Sequence, residues 1–313
     1  MGCEVIKGLD GLSAGATGGV LTMGNFDGVH LGHQRLLGWA SELARQAGVN
    51  LCAMTFDPPP AVLLDESAVP ERIMPAEVKH RCLAECGADV VIVVETTGEL
   101  LSTPPREFVR DVVAARLAPL QVVEGHNFFF GRGRAGDVEL LGRMAGELGF
   151  SVEVVEPVMV ELPGRGSVRV SSSLIRELIR GGEVASAARC LGRPFTLHGR
   201  VVAGQRRGRL LEFPTANLAA AGQITPADGV YAARAEIAGA SFPAAVSIGD
   251  NPTFGPSPRA VEAFLIDAEG DFYDQPMALA FCRRLRDQQE FPDAESLKRQ
   301  IAKDIERVRE IVK

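Results

Sequence analysis

The sequence predicts two domains of different class: an α/β domain on a parallel sheet over residues 1–190, then an antiparallel β-barrel with a terminal helix over residues 191–313. Three observations support this. Up to about residue 190, short apolar runs alternate with amphipathic stretches of helical period. After "LGRPF", Leu191 to Phe195, short strands follow one another across turns with no helix between them. The chain then closes on one long amphipathic stretch.

In the first half, "GVLTMGNF", "VNLCAMTF", "VVIVVE", "LQVVEG" and "VEVVEP" read as strands buried on both faces, the pattern of a parallel sheet. Between the first two, Leu36, Ala40, Leu43 and Ala47 recur on one face of a helix that starts near His30 and ends at Gly48. Ligands of such sheets bind beyond the carboxyl ends of the strands. In the second half, "LHGRVVAG", "GVYAARAEIAG", "FPAAVSIG", "AVEAFLID" and "QPMALAFCRRL" are the strands of the barrel. "DAESLKRQIAKDIERVREIV" is the terminal helix, with Leu297, Ile301, Ile305 and Val308 on one face.

Composition narrows the function classes. The chain is 46% hydrophobic and 23% charged, as ordinary globular proteins are. It has no apolar run near ~20 residues, no basic-then-apolar start and no myristoylation pattern, so a cytoplasmic protein with no membrane partner is expected. Six cysteines in 313 residues are too few for a disulfide scaffold. Cys82 and Cys86, near His80, fall on a helical pattern and read as packing. From Arg193 onward there are 16 basic and 16 acidic residues, which leaves 17 and 24 before it. An acidic first half makes nucleic acid a poor partner, so any phosphate site must be built locally from arginines and backbone amides.

The stretch "TMGNFDGVHLGHQRLL", Thr22 to Leu37, holds two of the five histidines, His30 and His33, at the start of the first helix. A helix start presents free N–H groups and a positive dipole end, which favours phosphate. Glycines 24, 28 and 32 permit a tight turn and close approach. Two imidazoles one turn apart can donate to phosphate oxygens, though the residues alone leave metal binding and packing open. "GRGRAG", Gly131 to Gly136, fits GxGxxG but does not open a first βαβ unit, so it is set aside as a dinucleotide fingerprint.

The dipeptide Gly-Lys occurs nowhere, so there is no P-loop. Thr215 and Asn217, two apart in "FPTAN", face one side of an extended segment and offer hard oxygens suited to Mg²⁺; a turn after proline is the alternative reading. Glu262 alternates with Val261 and Ala263 in a strand pattern.

"GNFDGVHLGH" resembles the HxGH signature of nucleotidylyltransferases. "GHNFFFGRGRAGD", "RVSSSLIRELIRGG", "LGRPFTLHGRVVAGQRRGRLLEFPTANL", "IGDNPTF" and "VEAFLID" follow in the order found in bacterial bifunctional riboflavin kinase/FAD synthetases. The resemblance implies a Rossmann-like adenylyltransferase domain and a riboflavin kinase-type barrel. It implies that His30 and His33 bind ATP phosphates, with Gly24, Phe26 and Asp27 in the same site. Asn127 would contact the nucleotide or the transferring phosphate, and Arg169, Ser172, Ser173 and Arg176 the triphosphate. Ser172 and Ser173 precede a helical run, so a helix cap is their plain alternative. In the kinase half, Gly204, Arg207, Gly208 and Arg209 would form the phosphate loop, Thr215 and Asn217 would hold Mg²⁺, and Glu262 would act as base. Asp267 is a weaker candidate for that role, and Asn251 and Thr253 would shape the nucleotide or flavin loop. ATP is the co-substrate, riboflavin, FMN and FAD are substrates and products, and the enzyme is expected to be a monomer or weak homo-oligomer acting on small molecules.

Three positions depart from the family pattern. Pro59 stands where a histidine is usual, Glu212 precedes "FPTAN" where glycine is common, and Asp274 follows Tyr273 where glycine is frequent. They keep two rivals in view: an enzyme with the kinase alone and a weakened adenylyltransferase site, or a flavin-binding regulator.

Overall fold

The computed structural model describes residues 2–64, 71–203, 213, 215–220, 222–250 and 259–312. Contacts divide the chain into two compact units, Met1–Pro70 with Ala76–Met159, and Glu71–Pro75 with Val160–Lys313. The change of rhythm near residue 190 therefore marks where the barrel begins, while residues 160–190, placed by rhythm in the first domain, pack with the second unit. Helical period identifies an amphipathic stretch but not the core it covers.

The strands of the first unit are β1 (Glu4–Lys7), β2 (Val20–Met23), β3 (Leu51–Asp57), β4 (Val90–Glu95), β5 (Gln121–Gly125), the short pair β6 (Phe129–Phe130) and β7 (Gly136–Asp137), and β8 (Ser151–Val155). Its helices are α1 (Leu31–Ala47), α2 (Pro60–Leu64), α3 (Ala76–Glu85), α4 (Gly98–Ser102), α5 (Pro105–Glu107), which runs on with wider π-type turns through Phe108–Leu117, and α6 (Val138–Leu148). Six strands form one parallel sheet in the order β1-β4-β3-β2-β5-β8. β2 is buried along its whole length because both faces are covered. Leu21, Met23, Met54 and Ile92 pack under Val109 and Leu141 on one face, and α1 lies against β2, β3 and β5.

α1 starts at the His30 cap and ends on Gly48 at φ +69, where glycine takes the left-handed backbone freely. Its buried residues are Leu36, Leu37, Ala40 and Ala44. Ala47, expected on that face, is exposed in the last turn before Gly48. The order of the sheet reverses at β2: α1 leads to β3 on one side, while β5 lies on the other. Between β2 and β5 the ladder pairs only Val20 with Gln121 and Leu21 with Val122. Beyond it, buried Glu124 accepts from the Met23 amide through Oε1 at 2.6 Å.

The second unit begins with a hairpin of β9 (Met159–Leu162) and β10 (Gly166–Arg169), then α7 (Ser172–Arg180) and α8 (Val184–Leu191). The barrel strands are β11 (Phe195–Val202), β12 (Ala216–Ala219), β13 (Gly229–Ile237), β14 (Ala240–Gly249), β15 (Ala260–Leu265) and β16 (Pro276–Arg286). They close as β11-β12-β15-β14-β13-β16, with every pair antiparallel. Phe195, Tyr231 and Phe281 fill the interior, the last two ring to ring edge-on at 5.4 Å. α8 packs on β16 and β11.

The terminal helix is α9 (Ala294–Ile311). Val308 and Ile305 pack on Val230, Ala232 and Leu285. Asp304 also lies on the buried side, where it takes two bonds from Arg286 at 2.8 and 3.0 Å.

Two predictions follow from the backbone. Burial pushes the Glu124 carboxyl well above the usual carboxylate range. The folded chain therefore holds that proton more tightly than the unfolded one, and stability drains away as pH rises above about 4.3, the unfolded value. Glu124→Gln keeps an acceptor for Met23 but cannot ionise, so its stability relative to the parent should rise between pH 5 and 8 in urea unfolding. An unchanged difference across that range would contradict a buried protonated acid.

Asp274 has φ +61, left-handed backbone that glycine adopts at no steric cost. Asp274→Ala and Asp274→Gly both lose the exposed contact to Arg200 at 3.5 Å. The glycine variant should nonetheless unfold about 1 kcal/mol later than the alanine variant.

Candidate functional site

In the first unit, the sequence between β2 and α1 makes a turn that few residue types allow. Phe26 at φ +48 and Val29 at φ +34 hold left-handed backbone that non-glycine residues seldom adopt. Such strain persists where the surroundings over-determine it, commonly at functional sites. Gly24 donates its amide to Met54 at 3.0 Å, and a side chain there would meet the Phe26 ring at 3.3 Å. Asp27 is partly buried in the turn, and Phe26 is fully buried, so its ring forms the floor of the turn.

His30 caps α1. Its Nδ1 accepts from the His33 amide at 3.3 Å, which places the proton of the neutral ring on Nε2 as a donor. A side chain at Gly32 would meet the His30 ring at 3.1 Å, so the glycine of the HxGH pattern makes room for that cap. The two imidazoles stack with centroids 3.6 Å apart, and Phe26 meets His33 edge-on at 5.2 Å. Burial, then His30, then Lys79 hold His33 well below the ordinary histidine value, so it stands neutral at pH 7. Its Nδ1 is buried with no hydrogen-bond partner.

Asn127 lies in the exposed turn after β5, where Phe128 donates to the Gly125 carbonyl at 3.0 Å. β5 neighbours β2, so Asn127 and the histidines stand at the same end of the sheet, where strand order reverses. The "GRGRAG" stretch joins β6 to β7 and opens no βαβ unit. Its Arg134 sits over the Phe129 ring at 5.1 Å. Pro59 lies between β3 and α2, its carbonyl accepting from Val62 at 2.9 Å.

The third motif belongs to the second unit. Arg169 ends β10, and Ser172 and Ser173 open α7. The cap of that helix is Ser171, whose hydroxyl accepts from Leu174 at 3.2 Å, so capping does not account for the two serines after it. Arg176 donates through Nε to the Glu71 carbonyl at 2.9 Å.

On the barrel, the alternation of β15 buries Val261 and Ala263 and turns Glu262 away from the interior. Glu262 stands directly opposite Asn217 of β12 and Ser247 of β14 in the ladders. Directly opposed residues share a face with Cβ atoms about 5 Å apart, so these three side chains form one polar row. Gln288 extends the row, donating to the Ser247 hydroxyl at 3.4 Å. Thr215 lies two residues before Asn217, and Phe213 meets Phe264 edge-on at 5.4 Å. Asp267, the alternative carboxylate, is held instead by Arg309 at 2.7 Å. Gly204, Arg207, Gly208, Arg209, Glu212, Asn251 and Thr253 lie outside the described residues.

Sequence reasoning overlooked Glu124, Lys79, Ser247 and Gln288. The signal for Glu124 was a carboxylate inside the apolar run "VVEG", and for Ser247 a polar residue at the outward position of "AAVSIG". Lys79 and Gln288 carried no local signal.

Comparison with known proteins matches a FAD synthetase family model over residues 13–173 and a riboflavin kinase family model over residues 191–312. The bifunctional riboflavin kinase/FMN adenylyltransferase of Escherichia coli K12 is 35% identical over 305 residues, covering 96% of this chain and 95% of its own. That of Pseudomonas fluorescens is 35% identical with 96% of each chain covered, and that of Bacillus subtilis 32% identical with 91% and 90% covered. The crystal structure of a macrolide-efflux protein from Streptococcus pneumoniae superposes with a TM-score of 0.86 at 28% identity over 99% of both chains. No helix among the described residues is long and apolar enough to cross a membrane. With both halves matched in order and relatives aligned over nearly its whole length, the chain belongs to the bifunctional riboflavin kinase/FMN adenylyltransferase family.

Proposed function

We propose that the barrel half, matched to riboflavin kinase over residues 191–312, phosphorylates riboflavin to FMN, and that the half matched to FAD synthetase over residues 13–173 adenylylates FMN to FAD. The observation that carries a two-reaction reading is that each unit holds its own polar constellation: the stacked histidines at a helix start, and the Asn217–Glu262–Ser247 row on the barrel.

In the first reaction the ribityl hydroxyl attacks the γ-phosphorus of ATP, its proton passes to Glu262, and ADP leaves. The hard oxygens of Thr215 and Asn217 suit Mg²⁺, which when bound with ATP would neutralise phosphate charge. In the second reaction an oxygen of the FMN phosphate attacks the α-phosphorus of ATP and pyrophosphate leaves. No covalent enzyme intermediate is needed, so positioning and charge stabilisation do the work. His30 offers Nε2–H, His33 a second imidazole, and α1 its free amides and dipole end. Asn127 stands at the same end of the sheet to contact the nucleotide or the transferring phosphate. Arg169, Ser172, Ser173 and Arg176 are proposed for the triphosphate, and Gly204, Arg207, Gly208, Arg209, Asn251 and Thr253 for the kinase loops, on the resemblance. All six cysteines are free thiols, which suits a reducing cytoplasm, where the enzyme would act as a monomer or weak homo-oligomer.

Incubation with riboflavin, ATP and Mg²⁺, followed by separation of the flavins, tests this. FAD should form; FMN alone would leave the kinase, and tight flavin binding without turnover would sink both activities. Glu262→Ala should lower FMN formation by about 10²–10⁴-fold and leave FMN-to-FAD conversion intact. His33→Ala should do the reverse, by about 10²–10³-fold. Equal loss of both activities in either variant would contradict two separate sites.

A further inference from the structure

Lys79 has no place in the chemistry described so far, yet it is only 8% exposed. Burying an ammonium is costly unless protein oxygens replace its water. From α3, its Nζ donates to the Thr55 hydroxyl at 2.9 Å and to the Asn25 carbonyl at 3.3 Å. The Thr55 hydroxyl donates to the same carbonyl at 3.3 Å. Thr55 lies toward the carboxyl end of β3, and Asn25 is in the turn before strained Phe26. A helix, a strand and the histidine turn are thus tied at one point.

We propose that Lys79 is a positioning residue for adenylyl transfer: its ammonium binds the Asn25 carbonyl to Thr55 and holds the strained turn in the shape that sets His30 and His33 at the helix start. The proposal rests on reading this turn as the adenylyl-transfer site. The charge has a second effect. The titratable groups that act on His33 are His30 at the head of its own helix and Lys79 from α3, and both oppose its protonation. Near neutral pH the His33 imidazole is therefore neutral beside the lysine ammonium.

Three full-length variants test this. Lys79→Gln keeps a donor for Asn25 but removes the charge, Lys79→Met removes both, and Lys79→Arg keeps the charge. The readouts are the NMR titration of the His33 imidazole, kcat/KM for FMN-to-FAD conversion against pH, and riboflavin phosphorylation as an internal control. In Lys79→Gln and Lys79→Met the His33 midpoint should rise while staying below that of an ordinary histidine, because burial and His30 still depress it, and the acid limb of the rate profile should move up with it. Lys79→Met should lose up to about 10²-fold in FMN-to-FAD conversion, the scale of a misplaced catalytic group, and Lys79→Gln less. Lys79→Arg should keep the low midpoint, and riboflavin phosphorylation should stay unchanged in all three. Should Lys79→Met fail to fold, Lys79→Gln decides. An unmoved His33 midpoint, or equal loss of both activities, would overturn the proposal. A parent protein that makes no FAD would sink the adenylyl-transfer reading instead, while the His33 midpoint still decides whether Lys79 governs the turn.

Discussion

The first site depends on a place where the sheet stops pairing. β2 and β5 share two ladder positions and then part. The parting leaves the Met23 amide without a backbone acceptor on that side, at a depth where an unmet donor costs about 1–3 kcal/mol. Glu124 supplies the acceptor from its side chain. The bond keeps the crevice open at its root, because a backbone acceptor there would extend the ladder and zip the strands together. It also explains why a carboxyl group is tolerated at 2% exposure: held as the acid, it carries no charge into the core.

From that root the turn rises under strain, and each of its residues has a geometric reason. Gly24 lets the Phe26 ring fold beneath the chain, Phe26 walls His33, and Gly32 leaves space for His30 to cap the helix. Because His30 spends Nδ1 on the cap, its remaining N–H is on Nε2. Stacking His33 on it at 3.6 Å makes double protonation unfavourable. The HxGH spacing thus fixes the tautomer of His30 and disfavours a second charge beside it.

Much of this was legible in the sequence, and the remainder was hidden for identifiable reasons. Strands buried on both faces announce themselves as apolar runs, so β2, β3, β4 and β5 were readable; β8 was read from its valines although it lies at the sheet edge and is only partly buried. β1 was not: "EVIK" is four residues at a sheet edge, mostly exposed. The exposed hairpin of β9 and β10 was missed for the same reason. The histidines, Asn127, Thr215, Asn217 and Glu262 carried motif signals. Glu124, marked only by its place in an apolar run, and Lys79 belong to no motif, because they act on groups that only the fold brings to them. Ser171, not Ser172 or Ser173, caps α7, a one-residue choice that pattern alone cannot make.

The barrel places its polar side chains by the opposite means. The first site uses a helix start, strained backbone and side chains kept neutral. On the barrel no described helix start lies in the Asn217–Glu262–Ser247 row, and regular antiparallel pairing does the positioning. Each of these side chains is set by register, so a one-residue slip of β12 would turn Asn217 inward and Leu218 outward. The buried ion pair of Asp304 with Arg286 joins α9 to the end of β16, two residues before Gln288, which reaches Ser247. An ion pair this buried contributes little net stability against an apolar replacement, but breaking one partner costs several kcal/mol. Asp304 is therefore a position where a single substitution strands the Arg286 charge, whereas replacing both partners together by apolar residues would not.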